Sequence, residues 1–333
     1  MRGRDLVLLG AVLLVGAFAV VDALRGDEPH RSKRVTSQPP RTTPVPRAAP
    51  EAPDTYPRGV LAGELVLAQR ENCRLRVLLL AGGFERILPP LVGCRFWVAP
   101  SGLAIAYASR GRAVFRDLAF APGADLGGFS NVSGPVIWSP DGQRAAWCTP
   151  SGTGFDFDVL EHELAPRALK RCPVAYTPNG EPAFVQGKRL VVNDRTILRA
   201  AGAISFVSWA SDGSIAVVEG PHERLERWQG NRLADAVEIP DRLGGEAPVL
   251  SPDNCAALFQ DVDQFWFEVI ALDCFEAERA DLLIFGDSTS VAWSPDGRWI
   301  AVAYSDRIGF HRVVDGEEIA SWPVRAGALA WVE

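Results

Sequence analysis

Short apolar runs alternate along this chain with one recurring polar turn. Val-Ala-Trp at 291–293 precedes Ser294-Pro295-Asp296-Gly297, and Trp-Ile-Ala-Val-Ala-Tyr follows at 299–304. The same order surrounds Trp138-Ser-Pro-Asp141-Gly142, with variants at Trp209-Ala-Ser-Asp212-Gly213, Tyr176-Thr-Pro-Asn-Gly and Leu250-Ser-Pro-Asp-Asn. Val98-Ala-Pro-Ser-Gly is the loosest copy, and Trp331 stands in phase with the others near the last residue. Proline presets φ at the second turn position, Asp bonds its own backbone, and Gly accepts the left-handed region. Apolar runs on both sides of such a turn predict a hairpin whose strands are buried on both faces. The residues before the turns are 98, 138, 176, 209, 250, 293 and 331, at steps of 33 to 43. A period near 40 carried by short strands is the pattern of β-propeller blades.

The chain is therefore expected to be all-β, a seven-bladed propeller. Blade one supplies strands at 64–69, 74–80 and 84–88 but lacks an innermost strand. The apolar stretch 328–332 has the missing pattern, so pairing of the two ends should close the ring and leave no open edge. Six blades with one irregular segment is the alternative, because the second and fourth turns match loosely. The aromatic before each turn, Trp138, Trp209, Trp293 and Trp331 above all, reads as a residue packed between blades. Small residues after the turns suit the close approach of neighbouring blades.

Six cysteines allow fifteen pairings, and the blade map selects one. Cys73 and Cys94 fall in connections on one face of blade one, and Cys148 and Cys172 occupy the equivalent places in blade three. Cys255 and Cys274 are neighbours on the opposite face of blade six. An even count of paired cysteines suits an oxidising compartment. No Cys-x-x-Cys spacing occurs, and no metal site is expected.

The Trp-Ser-Pro-Asp-Gly turn followed by a small-apolar strand resembles the WD-like propeller repeat of the periplasmic Tol translocation protein TolB and its relatives. The resemblance is closest at 138–142 and 293–297 and reaches from about residue 63 onward. It implies a propeller fold outside the cytoplasm that serves protein–protein contact. It does not carry the Tol partnership, because the polar stretch 25–57 is unlike the α/β domain that precedes the Tol propeller.

Composition changes this picture at the N-terminal end. Arg2 and Arg4 precede an apolar run from Leu6 to Val21. Residues 1–5 read as a cytoplasmic flank and 6–24 as a signal anchor that spans the membrane and exports the remainder of the chain. A cleaved signal peptide is the alternative, and it would leave a secreted protein. Residues 25–57 include eight prolines and little to bury, which predicts a disordered, extended spacer before a propeller at 58–333. The first 57 residues carry eight Lys/Arg and six Asp/Glu, so of the formal charge of −7 about −9 falls on the remainder. An acidic head without a basic cluster argues against nucleic acid as a partner.

Candidate chemistry is sparse. The four histidines are scattered without ligand spacing, and no nucleophile elbow, zinc-protease motif or phosphate loop occurs. Asp156 and Asp158, and Asp261 and Asp263, could bring paired carboxylates to a loop, with calcium the only cofactor they suggest. Asn131-Val132-Ser133 fits a glycan acceptor. Phe265, Trp266 and Phe267 cannot all face one side of a strand, so an exposed one could anchor a partner. The function expected is a membrane-tethered extracytoplasmic scaffold that binds an envelope or membrane protein. A propeller that binds or cleaves glycans through its acidic and aromatic loops is the alternative.

Overall fold

A computed structural model describes residues 60–333 except 92, 111, 119–124, 131, 160–165, 221–223, 244–246, 262–265 and 276–283. These belong to the second of the chain's two compact units, Ala49–Glu333. The anchor and spacer segments lie outside them, as do Asn131, Asp263 and Phe265. Among the described residues no helix is long and apolar enough to cross a membrane.

Seven four-stranded antiparallel sheets follow one another in sequence. Blade seven shows the arrangement, with strands Ser288–Trp293, Trp299–Tyr304, Ile308–Arg312 and Glu318–Trp322 in order from the innermost. The six-bladed alternative is thereby excluded. Blade four, the shortest repeat, still completes four strands with an innermost one of two residues, Ala175–Tyr176. Blade one draws its innermost strand, Ala326–Val332, from the far end of the chain. That strand pairs antiparallel with Glu64–Gln69, Leu65 opposite Trp331 and Leu67 opposite Leu329. Blade seven grips it from the side: Ser290 Oγ accepts the Leu329 amide at 3.0 Å, and Thr289 Oγ1 donates to the Ala326 carbonyl at 3.0 Å.

The turns form because their side chains complete the backbone. In blade three the Gly142 amide donates to the Ser139 carbonyl at 2.8 Å, and Ser139 Oγ takes the Arg144 amide at 2.9 Å. The same hydroxyl donates to Asp141 Oδ1, which also accepts the Gln143 amide at 3.0 Å. Blade seven repeats this with Ser294, Asp296 and Gly297, and blade six with Ser251 and Asp253. In blade five Ala210 replaces the serine, and Asp212 still caps the Ser214 amide while Gly213 closes the turn. Gly142 has φ 69°. A Cβ there would collide with Ser101 Oγ, so both conformation and neighbour demand glycine.

Packing follows the phase of the repeat. Trp138 packs with blade-two residues Ala104, Ala106 and Phe115, Trp209 with blade four, Trp293 with blade six and Trp331 with blade seven. Each tryptophan thus lies against the blade before its own. Three of the indoles also donate a hydrogen bond, Trp138 to the Trp97 carbonyl at 3.2 Å, Trp293 to Val249 at 3.0 Å and Trp331 to Ala62 at 2.9 Å. Alanines after the turns, such as 145, 146, 256, 257, 301 and 303, are inaccessible to solvent. A larger side chain there would force the blades apart.

All six cysteines pair as expected. Cys73–Cys94, Cys148–Cys172 and Cys255–Cys274 have Cα separations of 4.6, 5.3 and 5.4 Å, and they close loops spanning 21, 24 and 19 residues. Each should stabilise the fold by about 3 kcal/mol, mainly by restricting the unfolded chain.

One seam is built differently. Apolar clusters join blades one and two, two and three, four and five, five and six, six and seven, and seven and one. Between blades three and four the described residues form instead a polar hub around Asp156. Its carboxylate accepts the Tyr176 hydroxyl at 2.7 Å and pairs with Arg144 and, at 2.7 Å, with Arg167. Arg144 also donates to the Gly180 carbonyl at 3.2 Å and lies over the Tyr176 ring. Burial pushes the Tyr176 phenol well above its usual range, outweighing the two nearby guanidinium groups that lower it.

Candidate functional site

The acidic and aromatic residues singled out from the sequence are not gathered in one place. Asp156 is enclosed in the seam just described, with 2% of its side chain exposed. Asp158 is half-buried on the same strand, Gly154–Asp158. Asp261 lies in blade six, also 2% exposed, with Arg242 Nε at 3.8 Å. The neighbouring Glu268 takes a closer bond from Arg242, 2.7 Å. Phe267 is buried in the cluster joining blades six and seven, whereas Trp266 is half-buried with its indole nitrogen unpartnered. Among the described residues no three of His, Cys, Asp and Glu come together as a metal cluster.

What the fold does bring together is the set of repeated turns. They sit at one end of the central channel, and the innermost strands of blades six, seven and one continue inward from them. The resulting cavity is about 740 Å³, with Pro100, Pro140, Pro252 and Pro295 around its rim and Ser211 in the proline position of blade five. A second cavity of about 430 Å³ shares Pro100, Pro140 and Ser211 and adds Pro178. The rim is therefore made of the second residue of every turn. Proline has no amide hydrogen to satisfy and no freedom in φ, so the rim, Ser211 apart, is both apolar and rigid. Beneath it lie Trp293 and Trp331. Pockets of this size, mostly apolar with a few placed polar groups, are where proteins receive ligands and partner segments.

The sequence marked these prolines as makers of turns, not as a rim. The available signal was their constant phase. Any residue at a fixed place in a propeller repeat recurs around the axis, so six equivalent prolines or serines must form a ring.

A second polar cluster lies on the side of blade seven. The His311 Nδ1 donates to the Gly316 carbonyl at 3.1 Å, which leaves Nε2 to accept the Tyr304 hydroxyl at 2.8 Å. Burial first, then the Glu318 carboxylate, push the Tyr304 phenol up to about 12, with Arg307 acting the other way. Burial likewise holds the imidazole below its ordinary value. Arg307 stacks on Tyr304 and pairs with Glu318 at 3.0 Å. The cluster closes over Gly309, where a Cβ would lie 2.8 Å from the tyrosine ring. Its groups are engaged with one another, and it acts as a packed outer seam against Phe285 of blade six.

No protein-family model matches the sequence, and no curated protein matches it either. Solved structures do. A chain of the mitotic checkpoint complex superposes with a TM-score of 0.54 at 16% identity, covering 88% of this chain and 98% of that one. The β-propeller domain of Cps50 (Swd1) from Myceliophteria thermophila gives a TM-score of 0.50 at 14% identity, over 71% of this chain and 88% of that domain. At such identities the likeness is one of fold, and the fold is a seven-bladed propeller of the WD-like kind.

Proposed function

We propose that this protein is a membrane-tethered, extracytoplasmic propeller whose turn-bearing face holds a protein partner. Propellers of this fold commonly serve as interaction scaffolds. The observation that carries the reading is the preformed, proline-rimmed cavity of about 740 Å³ at the channel end. A rigid concave surface loses little entropy when it binds, so even a modest contact area yields useful affinity. Three disulfides that use all six cysteines support folding outside the reducing cytosol. The arginine-flanked apolar run at 6–24 and the proline-rich stretch at 25–57 support a tether that holds the head away from the bilayer. The likeness to Tol-type envelope propellers belongs to this proposal as well.

The test places a photo-crosslinking residue at Ser211, exposed on the turn face, and separately at Asn72, exposed at the opposite end, in the full chain within native membranes. One stoichiometric adduct from Ser211 and none from Asn72 is the expected result. Equal labelling from both positions, or from neither, would refute a turn-face partner. N-terminal sequencing of the same membrane fraction should read from Met1; a soluble form beginning near Leu24 would remove the tether.

A further inference from the structure

The cavity at the channel end does not stop at its proline rim. A recess of about 230 Å³ opens beside it between blades seven and one, bounded by Ala62, Gly63, Pro295 and the half-buried Trp299. Ser294, Pro295 and Glu333 line both spaces, so the two are contiguous, with Glu333 at the junction. Their chemistry differs. The larger space holds the exposed carboxylates of Asp141 and Glu333, and the recess is a small apolar slot with Asp296 at its edge. Among the described residues, neither is lined by a Lys, Arg or His.

The turn architecture leaves one carboxylate oxygen of Asp141 and of Asp296 to spare, and Glu333 is exposed beside them. Asp141 and Asp296 each satisfy the turn through Oδ1 alone, which accepts both a serine hydroxyl and a backbone amide. The second oxygen is not required by the turn. In blade five the corresponding atom, Asp212 Oδ2, binds the guanidinium of Arg227 at 2.8 Å. The fold thus shows, at an equivalent position, the kind of group this oxygen receives.

We propose that the channel end and its recess together receive a linear protein segment carrying an arginine or lysine beside a large apolar side chain. The cation sits between Asp141 and Glu333, and the apolar neighbour fills the slot against Trp299. Such pairing sets specificity and approach more than raw affinity, and the acidic head as a whole steers a basic segment toward it. This inference rests on the turn face being the binding face and adds the chemistry of the occupant.

The experiment measures fluorescence anisotropy of the full chain with four labelled hexapeptides: Gly-Ala-Arg-Leu-Ala-Gly and its counterparts with Gln for Arg, Glu for Arg, or Ser for Leu. Binding of the Arg-Leu peptide about tenfold or more tighter than the Glu-Leu and Arg-Ser peptides is expected. The double variant Asp141→Asn, Glu333→Gln should erase the preference for Arg over Gln. The Asn side chain keeps the oxygen that closes the turn, so folding is preserved. Asp306→Asn, exposed at the opposite end of blade seven, should change nothing. Equal binding of the Arg and Glu peptides, no binding of the Arg-Leu peptide at millimolar concentration, or equal loss with Asp306→Asn would each overturn the proposal. If the Ser211 cross-link captures a partner whose binding ignores the double variant, the turn face stands and the basic segment falls. If Ser211 captures none, the broader reading fails with it.

Discussion

At the scale of single residues, the buried carboxylates show what a propeller does with polar groups inside its seams. Glu226 is 1% exposed at the blade-four side of blade five. Its carboxylate accepts the Trp228 indole at 2.9 Å and has Arg224 at 3.6 Å. Burial raises its pKa first, and the nearby Glu219 adds to that, against the lowering effects of Trp228 and Arg224. The folded pKa thus lies above the unfolded one, so the folded state binds more protons between the two values. Stability therefore falls as pH rises through that window and stays lower above it. Glu226→Gln keeps an acceptor for Trp228 and removes the buried charge. Its melting temperature should exceed that of the parent by a few degrees at neutral pH. The gap should close as the pH falls to the ordinary glutamate range. A gap independent of pH would show that the charge is not the cause.

Elements differ in how plainly the sequence announces them. Two-residue strands such as Ala175–Tyr176 and Val249–Leu250 would be invisible to periodicity alone, yet the turn that comes after each one locates it. Outer strands lack such a marker. Asp125–Ser130 contains two adjacent glycines, and Arg232–Glu238 mixes exposed and half-buried positions with three charged residues among its seven, so neither carries a clean apolar alternation. Asp156 is hard to place for a related reason. In Gly-Phe-Asp-Phe-Asp the alternation suggests a solvent-facing acid, but a strand inside a propeller has a blade on either side. Phe157 meets blade two, and Asp156 meets blade four. Its partners lie 11, 12 and 20 residues away, and only the strand register brings them together. Deleting this hub should loosen the one seam that has no apolar cluster among the described residues. Asp156→Ala leaves the Tyr176 hydroxyl buried without an acceptor, while Arg144 and Arg167, 30% and 63% exposed, can return to water. The cost should be about 3 kcal/mol, the low end for removing one partner of a buried pair. In a thermodynamic cycle with Tyr176→Phe, the double variant should lose distinctly less than the two single losses added together. Strict additivity would remove Asp156 from its role as the link between blades three and four.

Over the whole molecule, stability depends on a ring having no first blade. Each sheet buries its faces only because another stands on either side, and blade one has four strands only because the chain returns to it. The spacing of Trp331 from Trp293 makes this closure legible in the sequence, since a propeller repeat in phase at the far end has nowhere else to pack. In the structure Trp331, Leu329 and Ala326 join the cluster that binds blade seven to blade one, and Val332 joins the cluster between blades one and two. Removing residues 327–333 would strip both clusters of their C-terminal members, and with them the inner ladder of Glu64–Gln69 and the anchor point of Ser290. The exposed edge would also be a template for pairing between molecules. Losing several buried side chains at roughly 2–5 kcal/mol for each large one exceeds much of the roughly 5–15 kcal/mol by which a domain is stable. The shortened chain should therefore aggregate or melt far below the parent under oxidising conditions, although its three disulfides remain possible. The disulfides do not rescue it because each closes a loop within a single blade or into the next connection, and none spans the gap between the two ends. Thermal unfolding of the two chains side by side decides the matter. An unchanged midpoint would mean that the last strand only decorates a ring already closed without it.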